Sequence, residues 1–136
     1  MVVNTNYLLD TCAWIDAFTA PELLKPSVRK LLNSQRLIHV ASISVLEVAR
    51  KEAVGQLIFG MPLADWFRIA LPQNRVKVIE LSPEFSIDAT RLPEWSHKDP
   101  GDQLVVATAR THRLTVLTSN GKILAYPHVQ SLASRK

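Results

Sequence analysis

With 136 residues, 47% of them hydrophobic, and a formal charge of +4 from 16 basic and 12 acidic side chains, the chain has the length of one domain and the material for one core. This excludes disorder of the whole chain, which needs low hydrophobicity and high net charge. The single cysteine, Cys12, excludes an internal disulfide framework and a Cys-rich zinc site.

Taken in order, residues 7–9 are a short apolar run that stops at Asp10, before a segment carrying Trp14, Ile15 and Phe18. Pro26 stands where a first helical turn tolerates proline, and Val28, Leu31 and Leu32 follow at helical spacing. Residues 37–41 read as a strand interrupted by His39, and Val45, Val48 and Ala49 return to the helical period, in a helix expected to run towards Leu57. After Pro62, the residues Leu63, Trp66, Phe67, Ala70 and Leu71 form an apolar helical stripe, read as core or dimer packing. Val76, Val78 and Ile79 are a β-branched strand, and Pro83 opens a helix with Phe85, Ile87 and Ala89. A helix with Val105, Val106 and Ala109 on one face follows Asp99-Pro100-Gly101-Asp102, then a strand over 114–117, and Val129 marks an expected edge strand. Strands alternating with helices predict an α/β fold with a central parallel sheet of four to five strands flanked by helices, as one domain over residues 1–136.

The first basic residue is Lys25 and the most apolar window, 53–64, is broken by Gly55, Gln56, Gly60 and Pro62. No secretory signal and no span of about 20 apolar residues is expected, so the expectation is a cytoplasmic protein without a membrane partner. The charge is evenly spread, 7 basic and 6 acidic side chains in residues 1–68 against 9 and 6 in 69–136. It is compatible with a nucleic-acid partner without identifying one.

The placement of a few carboxylates says more than their number. Asp10 follows the first strand, Glu47 falls in the expected first turn of a helix, and Asp102 in the first turn of the last long helix. In a parallel sheet these strand-to-helix junctions share one edge, where ligands bind. Each acid has a structural reading too. Ser44-Val45-Leu46-Glu47 matches a capping box, Asp99 before Pro100 matches an N-cap, and Asp10 can cap its own helix. Converging carboxylates repel one another unless a cation neutralises them. Hard oxygen ligands without a thiolate cluster suit Mg²⁺ or Mn²⁺ better than Zn²⁺. An ion so held can activate water and neutralise a phosphoryl oxygen, which points to phosphodiester hydrolysis.

These segments resemble the motifs of PIN-domain nucleases: Tyr7-Leu8-Leu9-Asp10-Thr11 the first, Ser44-Val45-Leu46-Glu47 the second, His97-Lys98-Asp99-Pro100-Gly101-Asp102 the third, and Leu117-Thr118-Ser119-Asn120 the fourth. They occur in family order, and the chain is similar in length to VapC-type toxins of toxin–antitoxin pairs. The resemblance implies a Mg²⁺- or Mn²⁺-dependent endoribonuclease acting on RNA, commonly a homodimer held by a VapB-like antitoxin. By motif, Asp10, Glu47 and Asp102 become the principal metal-binding acids and Asp99 a further active-site carboxylate. Asn120 stands where the family often has Asp; its amide oxygen can still coordinate the cation, as Asp99 can, but it brings no charge, which implies one ordered ion. Thr11, Ser119, Arg50, Lys51 and Lys98 are candidates to meet phosphate, and Trp14, Phe18 and residues 57–59 are candidates for an apolar antitoxin groove. The competing expectation is a catalytically weak or inactive PIN-like module that binds RNA or assembles with partners. Cys12 is expected to be a small buried thiol. The four histidines show no pairing at metal-ligand spacing.

Overall fold

The computed structural model describes residues 6–136. Its five strands are β1 (Tyr7–Leu9), β2 (Ile38–Ala41), β3 (Val76–Ile79), β4 (Thr115–Thr118) and β5 (Ser131–Ala133). They form one wholly parallel sheet in the order β3-β2-β1-β4-β5. Seven helices connect them: α1 (Thr11–Thr19), α2 (Pro26–Ser34), α3 (Ser42–Ala53), α4 (Leu63–Ala70), α5 (Pro83–Thr90), α6 (Pro100–His112) and α7 (Gly121–Leu124). The expected α/β class is therefore observed, at the five-strand end of the expectation.

The period-2 alternation of each strand sorts its side chains between two cores. Tyr7, Leu9, Ile38, Val40, Val76 and Leu117 pack with Trp14 of α1, Val28 and Leu32 of α2, and Trp66 and Ala70 of α4. Leu8, Ala41, Ile79 and Val116 pack with Phe85 of α5, Val105, Val106 and Ala109 of α6, and Tyr126. Both faces are covered, so the strands read as apolar runs instead of an apolar–polar alternation. The stripe after Pro62 is core: Trp66 is 2% exposed, and its ring lies 5.2 Å from Trp14 and 4.3 Å from Phe59.

Proline and acid placement set most helix starts. Pro26, Pro83 and Pro100 each occupy an opening position of their helices, where the missing N–H costs nothing. Some expectations fail locally. The third helix stops at Ala53, because Gly55 takes a left-handed φ of +79° and ends it short of Leu57. Val129 precedes the edge strand instead of lying in it; the strand is Ser131–Ala133. Ile87 turns to solvent while Phe85 and Ala89 face the core. No described helix is long and apolar enough to cross a membrane.

Candidate active site

The strand order places a switch point between β1 and β4: the chain leaves β1 towards β2 and leaves β4 towards β5, on opposite sides. In open α/β sheets the crevice at the carboxyl ends of such strands is the ligand site. Asp10 and the segment Thr118–Ser119–Asn120 emerge there side by side, tied by a backbone bond from Asp10 N to Leu117 O of 3.1 Å.

Asp10 caps α1. Its Oδ1 accepts from Ala13 N at 2.8 Å, and its Oδ2 accepts a short hydrogen bond from the Thr118 hydroxyl. The residue is buried, and that burial raises its pKa; the charges of Asp102 and Glu47 add to the rise, while the Thr118 and Ala13 bonds oppose it. Its neighbour Thr11 reaches across to α3, with its hydroxyl 2.7 Å from Glu47 Oε1 and 2.8 Å from Ser44 Oγ. A carboxylate only accepts, so the single Thr11 proton goes to Glu47 and Ser44 donates to Thr11. The expected Ser44–Glu47 capping box is therefore not formed. Helix α3 already begins at Ser42, Ala41 is its N-cap, and Glu47 lies in the second turn, not the first. The missed signal was the length of the helix ahead of Ser44, which frees both side chains for tertiary bonds.

Helix α6 closes the cavity from the other side. Asp99 is its N-cap, with Oδ1 accepting from Gly101 N at 2.8 Å and Asp102 N at 3.2 Å. Gly101 is buried against Glu47: a Cβ there would lie 2.8 Å from Glu47 Oε2. The Glu47 carboxylate thus sits at the positive end of α6, where exposed N–H groups favour an anion. Asp102 is half-buried; burial and the Asp99 charge raise its pKa, opposed by a 3.0 Å bond from Asn120 Nδ2.

Asp10, Glu47, Asp99 and Asp102 line one cavity of about 430 Å³, together with Thr11, Ser119 and Asn120. Acids 37 and 55 residues apart in sequence thereby meet. The cavity also carries Lys51, Lys122 and Cys12, whereas Arg50 and Lys98 are exposed and lie off it. Cys12 is exposed on this wall, not the buried thiol expected. Its place as the second residue of α1 turns it away from the core that Ala13 and Trp14 enter. Lys122 was missed because a single lysine after Asn120-Gly121 carries no local pattern; only the fold of α7 brings it here.

The donor set fits a hard cation in kind: carboxylates close enough to raise the pKa of Asp10, beside one Cys12 sulfur that desolvation and the Asp10 charge keep as a thiol. In arrangement each is occupied by the protein itself. Among the described residues, no three His, Cys, Asp or Glu side chains are drawn together tightly enough to hold an ion. Asn120 departs further from the expected role. Its Oδ1 caps α7 by accepting from Lys122 N at 2.9 Å. Because a backbone N–H can only donate, the amide orientation is fixed, and it presents nitrogen, not oxygen, to Asp102.

A wholly parallel sheet with acids gathered from α1, α3 and α6 at its carboxyl edge defines an α/β protein with an acidic cleft at the β1–β4 switch point. The PIN domain family model matches residues 7–128, and the chain belongs to that family. It is 25% identical over 126 residues, 91% of this chain and 94% of the relative, to a protein named Ribonuclease VapC22 from Mycobacterium tuberculosis. The fold is shared with a chain of VapBC2 from Rickettsia felis bound to a DNA fragment from their promoter (TM-score 0.73, 18% identity, 96% of this chain and 99% of that one). It is shared as well with a chain of a toxin–antitoxin complex from Klebsiella pneumoniae (TM-score 0.68, 21% identity, 94% and 97%).

Proposed function

We propose that this chain is a Mg²⁺- or Mn²⁺-dependent endoribonuclease, the toxin of a toxin–antitoxin pair. The observation that carries the reading is the meeting of Asp10, Glu47 and Asp102 in one cavity at the β1–β4 switch point. The similarity to a named ribonuclease over nine tenths of both chains supports it. Asp10, Glu47 and Asp102, too far apart for three direct bonds, would hold the ion in part through water, and the ion when bound would supply an activated water and charge neutralisation at phosphorus.

The chain's own residues define the rest. Thr118 and the α1 N-terminus fix both oxygens of Asp10, so that carboxylate needs no reorganisation on substrate binding. Thr11 fixes one oxygen of Glu47, Oε1. Lys51 and Lys122, on the cavity wall, are the cations positioned to meet phosphate oxygens, with Ser119 as the hydroxyl donor; Thr11, whose proton is taken by Glu47, positions that carboxylate instead. Asp99, held by its own helix, stays a negative second neighbour of Asp102.

The antitoxin would take the groove of about 410 Å³ lined by Phe18, Leu57, Ile58, Phe59, Met61 and Ile69, in which Ile58 is 88% exposed. An amphipathic helix lays its apolar face into such a groove. Trp14, expected on this surface, is instead fully buried and belongs to the core. A homodimer is part of the same proposal.

The alternative, an inactive RNA-binding or assembly module, draws on the nitrogen that Asn120 turns towards Asp102. RNA cleavage by the purified chain, with Mg²⁺ or Mn²⁺ and with EDTA, separates the two. Cleavage abolished by EDTA and lowered at least about 10²-fold by Asp102→Asn supports the nuclease. RNA binding with no metal-dependent cleavage selects the module.

A further inference from the structure

A second cavity, of about 320 Å³, opens at the opposite end of α1 from Asp10. Phe18 of α1, Leu24, Leu32 of α2 and Ile38 at the start of β2 give it an apolar wall, and Arg29 of α2 and Arg75 just ahead of β3 are set into that wall. No carboxylate lines it.

Both arginines are incompletely satisfied. The Nε of Arg29 and the Nε of Arg75 are each buried without a hydrogen-bond partner, and neither residue forms an ion pair among the described residues. One bond anchors Arg75, from Nη2 to the Leu32 carbonyl at 3.0 Å, which holds its guanidinium against the end of α2. Elsewhere the chain answers a partly buried guanidinium with a carboxylate. Arg110 Nε donates to Asp88 Oδ2 at 3.0 Å and Arg135 Nε donates to Asp16 Oδ2 at 2.7 Å. A guanidinium stays charged at any working pH and matches a carboxylate through paired N–H bonds. Two of them around one cavity repel each other, and each keeps a buried donor that lacks an acceptor.

We propose that this cavity is a binding site for a small amphipathic carboxylate, its anionic end taken by Arg29 and Arg75 and its hydrocarbon or aromatic body by Phe18, Leu24, Leu32 and Ile38. The size lies at the lower end of small-molecule sites, which run from roughly 300 to 1,000 Å³. A body of about one aromatic ring suits it. The predominantly apolar wall selects against inorganic phosphate and nucleotides, which need polar groups on all sides. The site shares no residue with the acidic cavity, so it stands whether or not the chain cleaves RNA.

The test is titration of the full ¹⁵N-labelled chain with 3-phenylpropanoate, its neutral amide 3-phenylpropanamide, and inorganic phosphate. Side-chain Nε–H resonances are followed alongside the backbone. The proposal expects saturable downfield shifts of the Arg29 and Arg75 Nε–H signals with the carboxylate. It also expects binding of the amide to be at least about tenfold weaker, as loss of a charge-assisted bond requires. Arg29→Gln and Arg75→Gln should each weaken carboxylate binding about tenfold or more while the backbone spectrum stays folded. The acid–amide comparison on the unmodified chain keeps the test decisive if a variant unfolds. Equal affinity for acid and amide, tighter binding of phosphate, or no saturable shift at millimolar carboxylate overturns the proposal.

Discussion

The two ends of helix α1 carry opposite charge and opposite hydrogen-bond economies. At its N-terminus, Asp10 has both oxygens bonded, Glu47 is held by Thr11, and Asp102 by Asn120. At its C-terminus, the Arg29 and Arg75 side chains face an apolar cavity with their Nε groups unanswered. The acidic end is satisfied in hydrogen bonds and unsatisfied in charge; the basic end is unsatisfied in both. The carboxylates can be pre-oriented by neutral hydroxyls and amides because those donors supply direction without cancelling charge. That leaves a negative field for a cation. A guanidinium cavity walled by hydrocarbon has no such intermediate, and its donors wait for an acceptor.

Trp14 joins the two ends, and its loss is the most disruptive single change. Its ring is fully buried on α1, and its Nε1 donates to the Ala70 carbonyl at 2.8 Å, locking α1 to α4. Trp14→Ala is expected to cost about 3–5 kcal/mol. Urea unfolding measures it, and a cost below about 1 kcal/mol would mean that α1 is not the shared support of the two sites.

At the acidic end alone, Thr118→Val removes the donor to Asp10 Oδ2 and the acceptor for Asn120 N, which lies 2.9 Å from the hydroxyl. Thr118 is fully buried and Asp10 nearly so, and the loss of these bonds costs about 1–3 kcal/mol. Thr118→Ser, which keeps the oxygen, should recover most of that stability and of any metal-dependent cleavage. Equal unfolding midpoints for the valine and serine variants would show that the hydroxyl does not hold the site together.

Charge crowding itself has a signature in pH. Burial raises the pKa of both Asp10 and Asp102 above the ordinary carboxylate value. Between the unfolded and folded values the folded chain therefore binds more protons, so these two groups make stability fall as pH rises through that interval. Their ionised forms cost stability at neutral pH, and metal-free protein should gain from them as pH falls through the raised folded values towards the ordinary carboxylate value. Asp10→Asn and Asp102→Asn should each flatten this dependence and raise the metal-free Tm. A lower Tm in both variants would mean that the carboxylates support the fold instead of straining it.

Much of this was legible in the sequence because the signals were local. The Tyr7-Leu8-Leu9 run before Asp10 marked the central strand, and Pro26, Pro83 and Asp99-Pro100 marked helix starts. The meeting of the four acids was legible through the rule of the sheet's carboxyl edge. What was not legible depended on contacts between distant segments. Glu47 reads as a cap until Thr11, 36 residues away, takes its oxygen. Asn120 reads as an oxygen ligand until α7 folds and claims that oxygen. Arg29 and Arg75 sit in unremarkable surroundings in the chain, and only the packing of α2 beside β2 and β3 puts them in one cavity.

Gly101→Ala gives the smallest change in stability and the sharpest probe of the acidic end. Two effects oppose each other there. Alanine favours a helix over glycine by about 1 kcal/mol, since less backbone freedom is lost on folding. Against this, the new Cβ would fall 2.8 Å from Glu47 Oε2 and 3.1 Å from Asp99 Oδ1, so Glu47 must move. A carboxylate at the end of a flexible side chain moves cheaply, but Glu47 Oε1 is bonded to Thr11, and the shift breaks or lengthens that bond. The net stability change is expected to stay within about 1 kcal/mol of zero, while Glu47 leaves the position it shares with Asp10 and Asp102. Under the proposed function, metal-dependent RNA cleavage should fall by about tenfold or more, because misplacement of a reacting group by an ångström costs far more in rate than in folding. Unchanged cleavage in a stably folded Gly101→Ala chain would remove Glu47 from the catalytic set and leave Asp10 and Asp102 to act without it.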